Sequence, residues 1–505
     1  MVPGLHRLLQ LPRQLLFRNP FKGDVATSRV WITRPESRDD TLPFPHPWNY
    51  RQPLEILETF FSKAGGQAGS AKHNRFLEVP FFSPVLITRE PPVIRAVLTA
   101  TGDKEGQFDR DTTPSTGIAR ATGADTLLFS NGPSWRHQRK ASAQPFGKNS
   151  LYQPEVFQGF EATFRKTILE RIQALHKLLA ESHEDSITIQ LEPEIKTVML
   201  EMLVNNFFGA KIEYTQLREK YIPAIDRIIE HIVRDTVRNR FDMNPLKKRR
   251  VSRRSRQLRE DFEAFEELTD IAIEPRHRNQ GAWARLSDEF SDESIRSNVK
   301  VFLAGALEAT TSYATWAISH LARNSEAQEQ VFREVAPINA FSPDVLEQTQ
   351  YLSRVLKETL RLTPSLYFLP RRAQENTWLT LHDGRRMYLP KGTHILLDVW
   401  HANRLEEFWG VEATGAKADV FAPERWEHIE RMGAVSKDFL HFGFGHGARV
   451  CPGKHLGELE IALVVGSICK LFVFKAIHQI NPAKAGVSTK PLDGTLVELR
   501  LRKAD

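Results

Sequence analysis

One stretch concentrates residues able to do chemistry: Phe-Gly-Phe-Gly-His-Gly-Ala-Arg-Val-Cys-Pro-Gly, from Phe442 to Gly453. It holds one of the chain's two cysteines. Its glycines let the backbone approach something bulky and admit positive φ. Pro452 suits the first turn of a helix, where its missing N–H costs no hydrogen bond. The apolar run that follows, Leu456 to Phe474, has helical length and carries Leu459, Ile461, Leu463, Val464, Val465, Leu471 and Phe472. A cysteine at such a helix start gains thiolate character from the free N–H groups and the helix dipole, and Arg449 adds positive charge. This is the chemistry of a thiolate in a glycine-lined loop, suited to a large flat ligand with a metal at its centre. Cys469, mid-helix among apolar neighbours, reads instead as a small buried hydrophobe. That reading fits Cys451 poorly, because apolar packing has no use for so many glycines.

The loop resembles the haem-binding signature of the cytochrome P450 family, with Phe444, Gly447, Arg449, Cys451 and Gly453 at its fixed positions. The resemblance implies haem b (iron protoporphyrin IX) as cofactor. It makes Cys451 the metal ligand, whose thiolate pushes electron density toward bound O2 and favours O–O cleavage.

Other residues must hold that ligand. Trp135 and Arg139, in Gly132–Lys140, are four apart and share one face of a helix. An indole N–H and a guanidinium pointing the same way make an anion clamp. By itself this is a basic surface helix; beside the cysteine loop it resembles the family helix that grips a haem propionate. Pro370-Arg371-Arg372 precedes a strand-rich stretch, and the resemblance makes Arg371 a second propionate partner in preference to Arg372, with Arg449 as a third. Glu358 and Arg361 lie one helical turn apart and can pair. With Arg425 in Phe421–Trp426 they resemble the family's buried Glu–Arg–Arg cluster that supports the thiolate loop.

A long apolar helix is expected over residues 292–323. Small residues, Gly305 and Ala306 among them, let a flat ligand come close, while Glu308, Thr310 and Thr311 need hydrogen-bond partners. The bland reading is threonine bonding back to the helix. The functional one is a polar notch for protons and oxygen, with Glu308 and Thr310 as the catalytic candidates. It resembles the family's distal helix with one departure: the acidic residue is normally followed at once by threonine, and here Ala309 takes that place. Either Thr310 serves from a shifted register, or the hydroxyl comes from substrate or water.

The elements that position these groups are read from periodicity. Val93, Ile94, Val97 and Leu98 have helical spacing. Residues from Tyr152 to about Phe241 are mostly helical, with Leu200, Met202, Leu203, Phe207 and Phe208 as core. Trp378–Leu381, Met387–Leu389, His394–Leu397 and Leu496–Leu501 read as strands.

The 505 residues are 41% hydrophobic and 26% charged, an ordinary globular balance. Two cysteines exclude a disulfide framework and a cysteine-cluster zinc site, and point to a reducing compartment. The net charge of +7 reads as solubility, or as a docking face for an acidic protein. The strongest charge run is Lys247 to Arg250 with Arg253, Arg254, Arg256 and Arg259. No aromatic residue interleaves it, so it reads as a solvated loop or helix face, with membrane or partner contact as the second reading, and not as a nucleic-acid site. Near the N-terminus Leu pairs alternate with His6, Arg13 and Arg18, and Pro12 breaks the run. No stretch of about twenty apolar residues exists, so no transmembrane helix is expected. Nor is a signal peptide.

These readings converge on a mainly α fold with a smaller β part, the cytochrome P450 fold: a tail at 1–39, with peripheral membrane contact as the alternative, and a single haem domain at 40–505. The resemblance implies a haem-thiolate monooxygenase that inserts one atom of O2 into a small apolar substrate. It would be a cytoplasmic monomer, with electrons from a separate ferredoxin, flavodoxin-like or reductase partner. Ala309 leaves a rival open, an enzyme that uses peroxide or that rearranges or couples its substrate. A haem sensor or carrier is the rival from another class.

Overall fold

The computed structural model describes residues 54, 61, 73–77, 85–102, 107–112, 116–182, 185–238, 253–278, 280–285 and 290–502. The expected tail at 1–39 and Lys247 to Arg250 of the basic run lie outside the described residues. The helices that build the site are α1 (Pro91–Thr99), α2 (Gly132–Ala141), α3 (Pro154–Ser182), α4 (Glu192–Met202), α5 (Ile222–Arg238), α6 (Arg253–Ile273), α7 (Asp292–Leu321), α8 (Ser325–Val335), α9 (Gln350–Leu362), α10 (Glu424–Arg431) and α11 (Lys454–Leu471).

Helix α7 is the axis. Its 30 residues give a length of about 45 Å. Ser291 caps it by accepting the Ser294 N–H, and Asp292 and Glu293 complement the dipole at its first turn. Val299, Leu303, Leu307, Ala314, Ala317, Ile318 and Leu321 are buried on several faces. A helix that is apolar nearly all round must be covered nearly all round, and α4, α6, α9, α11 and a C-terminal hairpin pack against it. Phe302, Gly305, Ala306, Ala309 and Thr310, at helical spacing, share one partly open side.

The β part lies to one end. A five-stranded sheet has the order β1 (Asn74–Leu77), β2 (Val85–Thr88), β8 (His394–Asp398), β5 (Phe368–Ala373), β3 (Phe108–Arg110). Only the β2–β8 pair in it is parallel. Val93, Ile94, Val97 and Leu98 of α1 are fully buried in the cluster under this sheet. A second sheet joins β4 (Ile187–Gln190), β12 (Leu496–Leu501) and β9 (Phe472–Ala476), and two hairpins pair β6 (Thr377–Thr380) with β7 (Arg386–Leu389) and β10 (Ala483–Ala485) with β11 (Thr489–Pro491). This is the mainly α arrangement with a smaller β part that the periodicity predicts.

Three boundaries differ from the sequence reading. Strand β4 interrupts the stretch read as helical from Tyr152 onward, because Ile187 and Ile189 alternate with polar residues and pair with Leu499 and Val497. The helix after Cys451 ends at Leu471, since Phe472 and Phe474 turn inward with period two as β9. That helix also starts later than expected: Gly453 is its N-cap, so Pro452 stands outside it. Arg256 and Arg259 of the basic run lie exposed on α6, a solvated helix face. Among the described residues no helix is long and apolar enough to cross a membrane.

Candidate active site

The loop before α11 is shaped by its own backbone. The Cys451 N–H donates to the Phe444 carbonyl at 2.8 Å, and the Gly445 N–H donates to the Phe442 carbonyl at 2.8 Å. Gly445 and Gly447 have φ of 73° and 70°, and a Cβ on Gly447 would run into the Leu98 carbonyl of α1. Phe442 is held at φ 52° with its ring buried, a conformation that costs a non-glycine residue free energy and needs surrounding structure to maintain it. Phe444 meets Tyr313 of α7 edge to face, with ring centroids 6.2 Å apart. Cys469 is buried in α11.

Burial pushes the Cys451 thiol up, while the Gly453 N–H, then Arg139 and Arg110, pull it down less strongly. This corrects the expectation that a helix start confers thiolate character. Helix α11 begins three residues further on, at Lys454, and desolvation wins.

Around it stands a group of cations. Arg371 is 1% exposed, whereas Arg372 faces solvent. The Arg371 Nε donates to Thr101 Oγ1 at 3.2 Å and its Nη1 to the Pro370 carbonyl at 2.8 Å. Arg449 Nη2 donates to Asp109 Oδ1 at 2.7 Å, to the Ser130 carbonyl at 2.8 Å and to Asn131 Oδ1 at 2.7 Å, with its guanidinium 4.1 Å above the Trp135 ring. Trp135 is buried on α2, and Arg139 follows one turn later on the same helix. Among the described residues, Arg449 Nε and Nη1 and Arg110 Nε are sealed from solvent without a hydrogen-bond partner. Burial, then Arg110, holds Arg449 down at about 9, and burial, then Arg110 and Arg449, holds Arg371 well below the usual guanidinium range. Among the described residues Asp109 is the carboxylate that offsets this group, which leaves an excess of buried positive charge able to receive an anion.

The face of α7 opposite the loop has two characters. At Gly305 an added Cβ would meet nothing within 4 Å, which marks open space beside the helix. Thr310 Oγ1 donates to the Ala306 carbonyl at 2.8 Å, the back-bonded geometry. Glu308 points elsewhere. Its Oε1 lies 2.9 Å from Lys490 Nζ and 3.2 Å from Lys196 Nζ, and its Oε2 accepts from Ser488 Oγ at 3.0 Å. The carboxylate read as lining the oxygen side is thus buried against α4 and the β10–β11 hairpin.

A family model described as Cytochrome P450 matches residues 76–495. The chain belongs to the cytochrome P450 family. Among curated relatives, Cytochrome P450 71D181 of Origanum vulgare is 32% identical over 197 residues, covering 38% of this chain and 37% of that protein. Cytochrome P450 monooxygenase FSL4 of Gibberella zeae is 29% identical over 234 residues, 43% of this chain and 40% of that protein. Zealexin A1 synthase of Zea mays is 23% identical over 416 residues, 78% of this chain and 77% of that protein. The chain thus aligns with little more than a third of the length of the Origanum relative.

The residues of this P450 fit the family's cofactor. Haem is flat, carries two propionates and takes an axial ligand. The chain offers a cysteine in a glycine-rich loop, an excess of buried guanidinium groups with unused N–H donors, and a helix face left open at Gly305. Arg110 is the residue the sequence reading missed. It follows Asp109 on β3, which pairs with β5 so that Arg110 stands opposite Arg371. No motif flagged it, because its role follows from strand register.

The ion cluster expected to brace the loop is assembled in this P450. Glu358 accepts from Arg361 Nη2 at 2.7 Å and Nε at 2.9 Å, from Arg425 Nε at 3.3 Å, from Trp426 Nε1 at 3.1 Å and from the Ala422 N–H at 3.1 Å. Glu358 and Arg361 are fully buried and Arg425 nearly so. Arg361 Nη1 also reaches the Asn403 and Ala418 carbonyls, each at 2.6 Å, and Asn403 Nδ2 donates to the His441 carbonyl at 2.6 Å. The cluster is therefore wired to the start of the cysteine loop.

Proposed function

We propose that this P450 is a haem-thiolate monooxygenase that inserts one atom of O2 into a small apolar organic substrate, with electrons from a separate protein. Cys451 beside buried arginines that keep unused N–H donors carries the reading. Haem b is the cofactor, held by Cys451 at the metal and by Trp135, Arg110, Arg139, Arg371 and Arg449 at the propionates. When bound it supplies thiolate-assisted O–O cleavage. The chain's own residues do the rest. Phe444, Gly447 and Gly453 shape the loop, and Glu358, Arg361 and Arg425 keep it in place. Gly305 and Ala306 make room on the opposite side, and Thr310 offers a hydroxyl oxygen there. Glu308 holds negative charge near the helix without facing the open space. Residues 40–505 form the one domain this requires.

A second reading is favoured by Ala309. Without threonine at that position the enzyme would use peroxide, or rearrange or couple its substrate. The reduced, CO-bound absorption spectrum of the purified protein tests the cofactor assignment. A thiolate-type band absent from the wild type, or unchanged in Cys451→Ser, refutes it. A screen for substrate-induced spin shifts, run with a reductase system and with peroxide alone, separates the two readings.

A further inference from the structure

Ser365 lies in the loop between α9 and β5, with its side chain buried. Its Oγ donates to the Ala309 carbonyl at 3.0 Å. The helix position where the family carries a threonine hydroxyl, and this chain carries a methyl group, is thus the position at which a hydroxyl arrives from outside the helix. The loop is pinned there. The Thr489 N–H donates to the Ser365 carbonyl at 2.9 Å, Thr489 Oγ1 donates to the Pro364 carbonyl at 2.9 Å, and Trp316 Nε1 of α7 donates to Thr489 Oγ1 at 3.2 Å. Leu366, the next residue, is 42% exposed.

Two other polar groups stand on this part of α7. Glu308 is occupied by Lys196, Lys490 and Ser488. Thr310 donates to the Ala306 carbonyl, as Ser365 donates to that of Ala309, but it stands one position past Ala309 on the helix. Because the Ser365 hydrogen is committed to a carbonyl, its oxygen has only lone pairs to offer. It can therefore accept one hydrogen of a water and leave the other hydrogen free to be donated.

We propose that Ser365 supplies, from the neighbouring loop, the hydroxyl that Ala309 lacks. It is a positioning residue that holds a water for protonating oxygen on the open side of α7. The proposal rests on the monooxygenase reading. Overall, O2, two electrons from the external donor protein and two protons convert R–H to R–OH and water. The protons come from solvent through the held water, and Ser365 neither gains nor loses one.

The test compares full-length, haem-loaded wild type with Ser365→Ala, Ser365→Thr, Ala309→Thr and the double variant Ser365→Ala/Ala309→Thr, on a substrate that shifts the wild-type spin state. In Ser365→Ala, product formed per electron pair falls about tenfold and peroxide takes the difference, a modest share of what a positioned proton-transfer group contributes. Ser365→Thr keeps the coupling, and Ala309→Thr restores it in the double variant. The C–O stretch of the reduced CO complex shifts in Ser365→Ala and returns in the double variant, a readout independent of turnover. A hydroxyl that merely held the loop would not be replaced by one at position 309. Wild-type coupling and an unshifted C–O stretch in Ser365→Ala overturn the proposal, as does failure of Ala309→Thr to restore them. A wild type lacking the thiolate-type CO band refutes the monooxygenase reading and this proposal with it. A normal band with unchanged coupling sinks Ser365 alone.

Discussion

Lys490 Nζ sits 2.9 Å from Glu308 Oε1 in the interior, joining the β10–β11 hairpin to the middle of α7. Lys196 approaches the same oxygen from α4 and also pairs with Asp226 of α5. Burial raises the Glu308 carboxyl, but Lys490, Lys196 and the Ser488 hydroxyl together outweigh it and bring it down to about 2. The group is an anchor between elements distant in sequence, and it stays ionised across the physiological range.

Removing one lysine should expose that dependence. Lys490→Met leaves Glu308 with Lys196 and the Ser488 hydroxyl, at an expected loss of about 3 kcal/mol in denaturant unfolding. The pH profile has a definite sign. A depressed folded value stabilises above the ordinary 4.5 and loses that stability as pH falls from there toward about 2. Lys490→Met raises the folded value toward 4.5, so the variant starts less stable at neutral pH and loses less on acidification below 4.5 than wild type does. Acid melts of the two that superimpose would show that the pair does not anchor the helix.

Glu358→Gln keeps the shape of the cluster and removes its only carboxylate. Two guanidinium groups, on Arg361 and Arg425, would then be buried with backbone carbonyls, the Thr414 hydroxyl and a neutral amide as their partners. Breaking such a cluster costs on the order of 3–5 kcal/mol. Because Asn403 links the cluster to the His441 carbonyl, the loss is expected to appear as haem-poor protein, read from the ratio of haem to protein absorbance. A fully haem-loaded Glu358→Gln protein contradicts the bracing role.

Arg110→Met tests the residue found only through strand register. A hydrogen bond to a charged group is worth about 1.5–3 kcal/mol. The variant is expected to release haem to an apo-globin acceptor about tenfold faster than wild type, while Arg372→Met, on the exposed side of β5, releases it at the wild-type rate. Equal rates for Arg110→Met and wild type would remove Arg110 from the propionate site.

Gly305 separates stability from ligand space. Alanine there meets no atom within 4 Å and gains about 1 kcal/mol of helix propensity. The apoprotein of Gly305→Ala should melt no lower than wild type, while substrate-induced spin shifts shrink as the methyl group enters the open side. An unchanged titration with every substrate that shifts the wild type would show that Gly305 does not border the ligand.

The chemistry-bearing residues were readable because their types and spacing are unusual by themselves. A cysteine among closely spaced glycines, Trp135 one turn before Arg139, and Glu358 one turn before Arg361 are local patterns. Local backbone geometry gives them their meaning. The long apolar run that became α7 was legible for the same reason, since a helix covered on nearly every side needs apolar residues on nearly every side.

Contacts between distant segments were not legible. Glu308 reads as a catalytic candidate from its place in the helix, while its partner Lys490 stands 182 positions later. Ser365 carried no motif at all, and its meaning comes from the Ala309 carbonyl, 56 positions earlier. The Cys451 thiol went the opposite way from the expectation because burial, which no local pattern reports, outweighs the nearby dipole and charges. The sequence by itself determined the family, the mainly α fold and the thiolate loop, through signals that span a few turns of chain. Only the tertiary structure decided which buried charges are neutralised and which remain free for a ligand, because electrostatic energy depends on distance through space and on the exclusion of water, and neither is written in the order of residues.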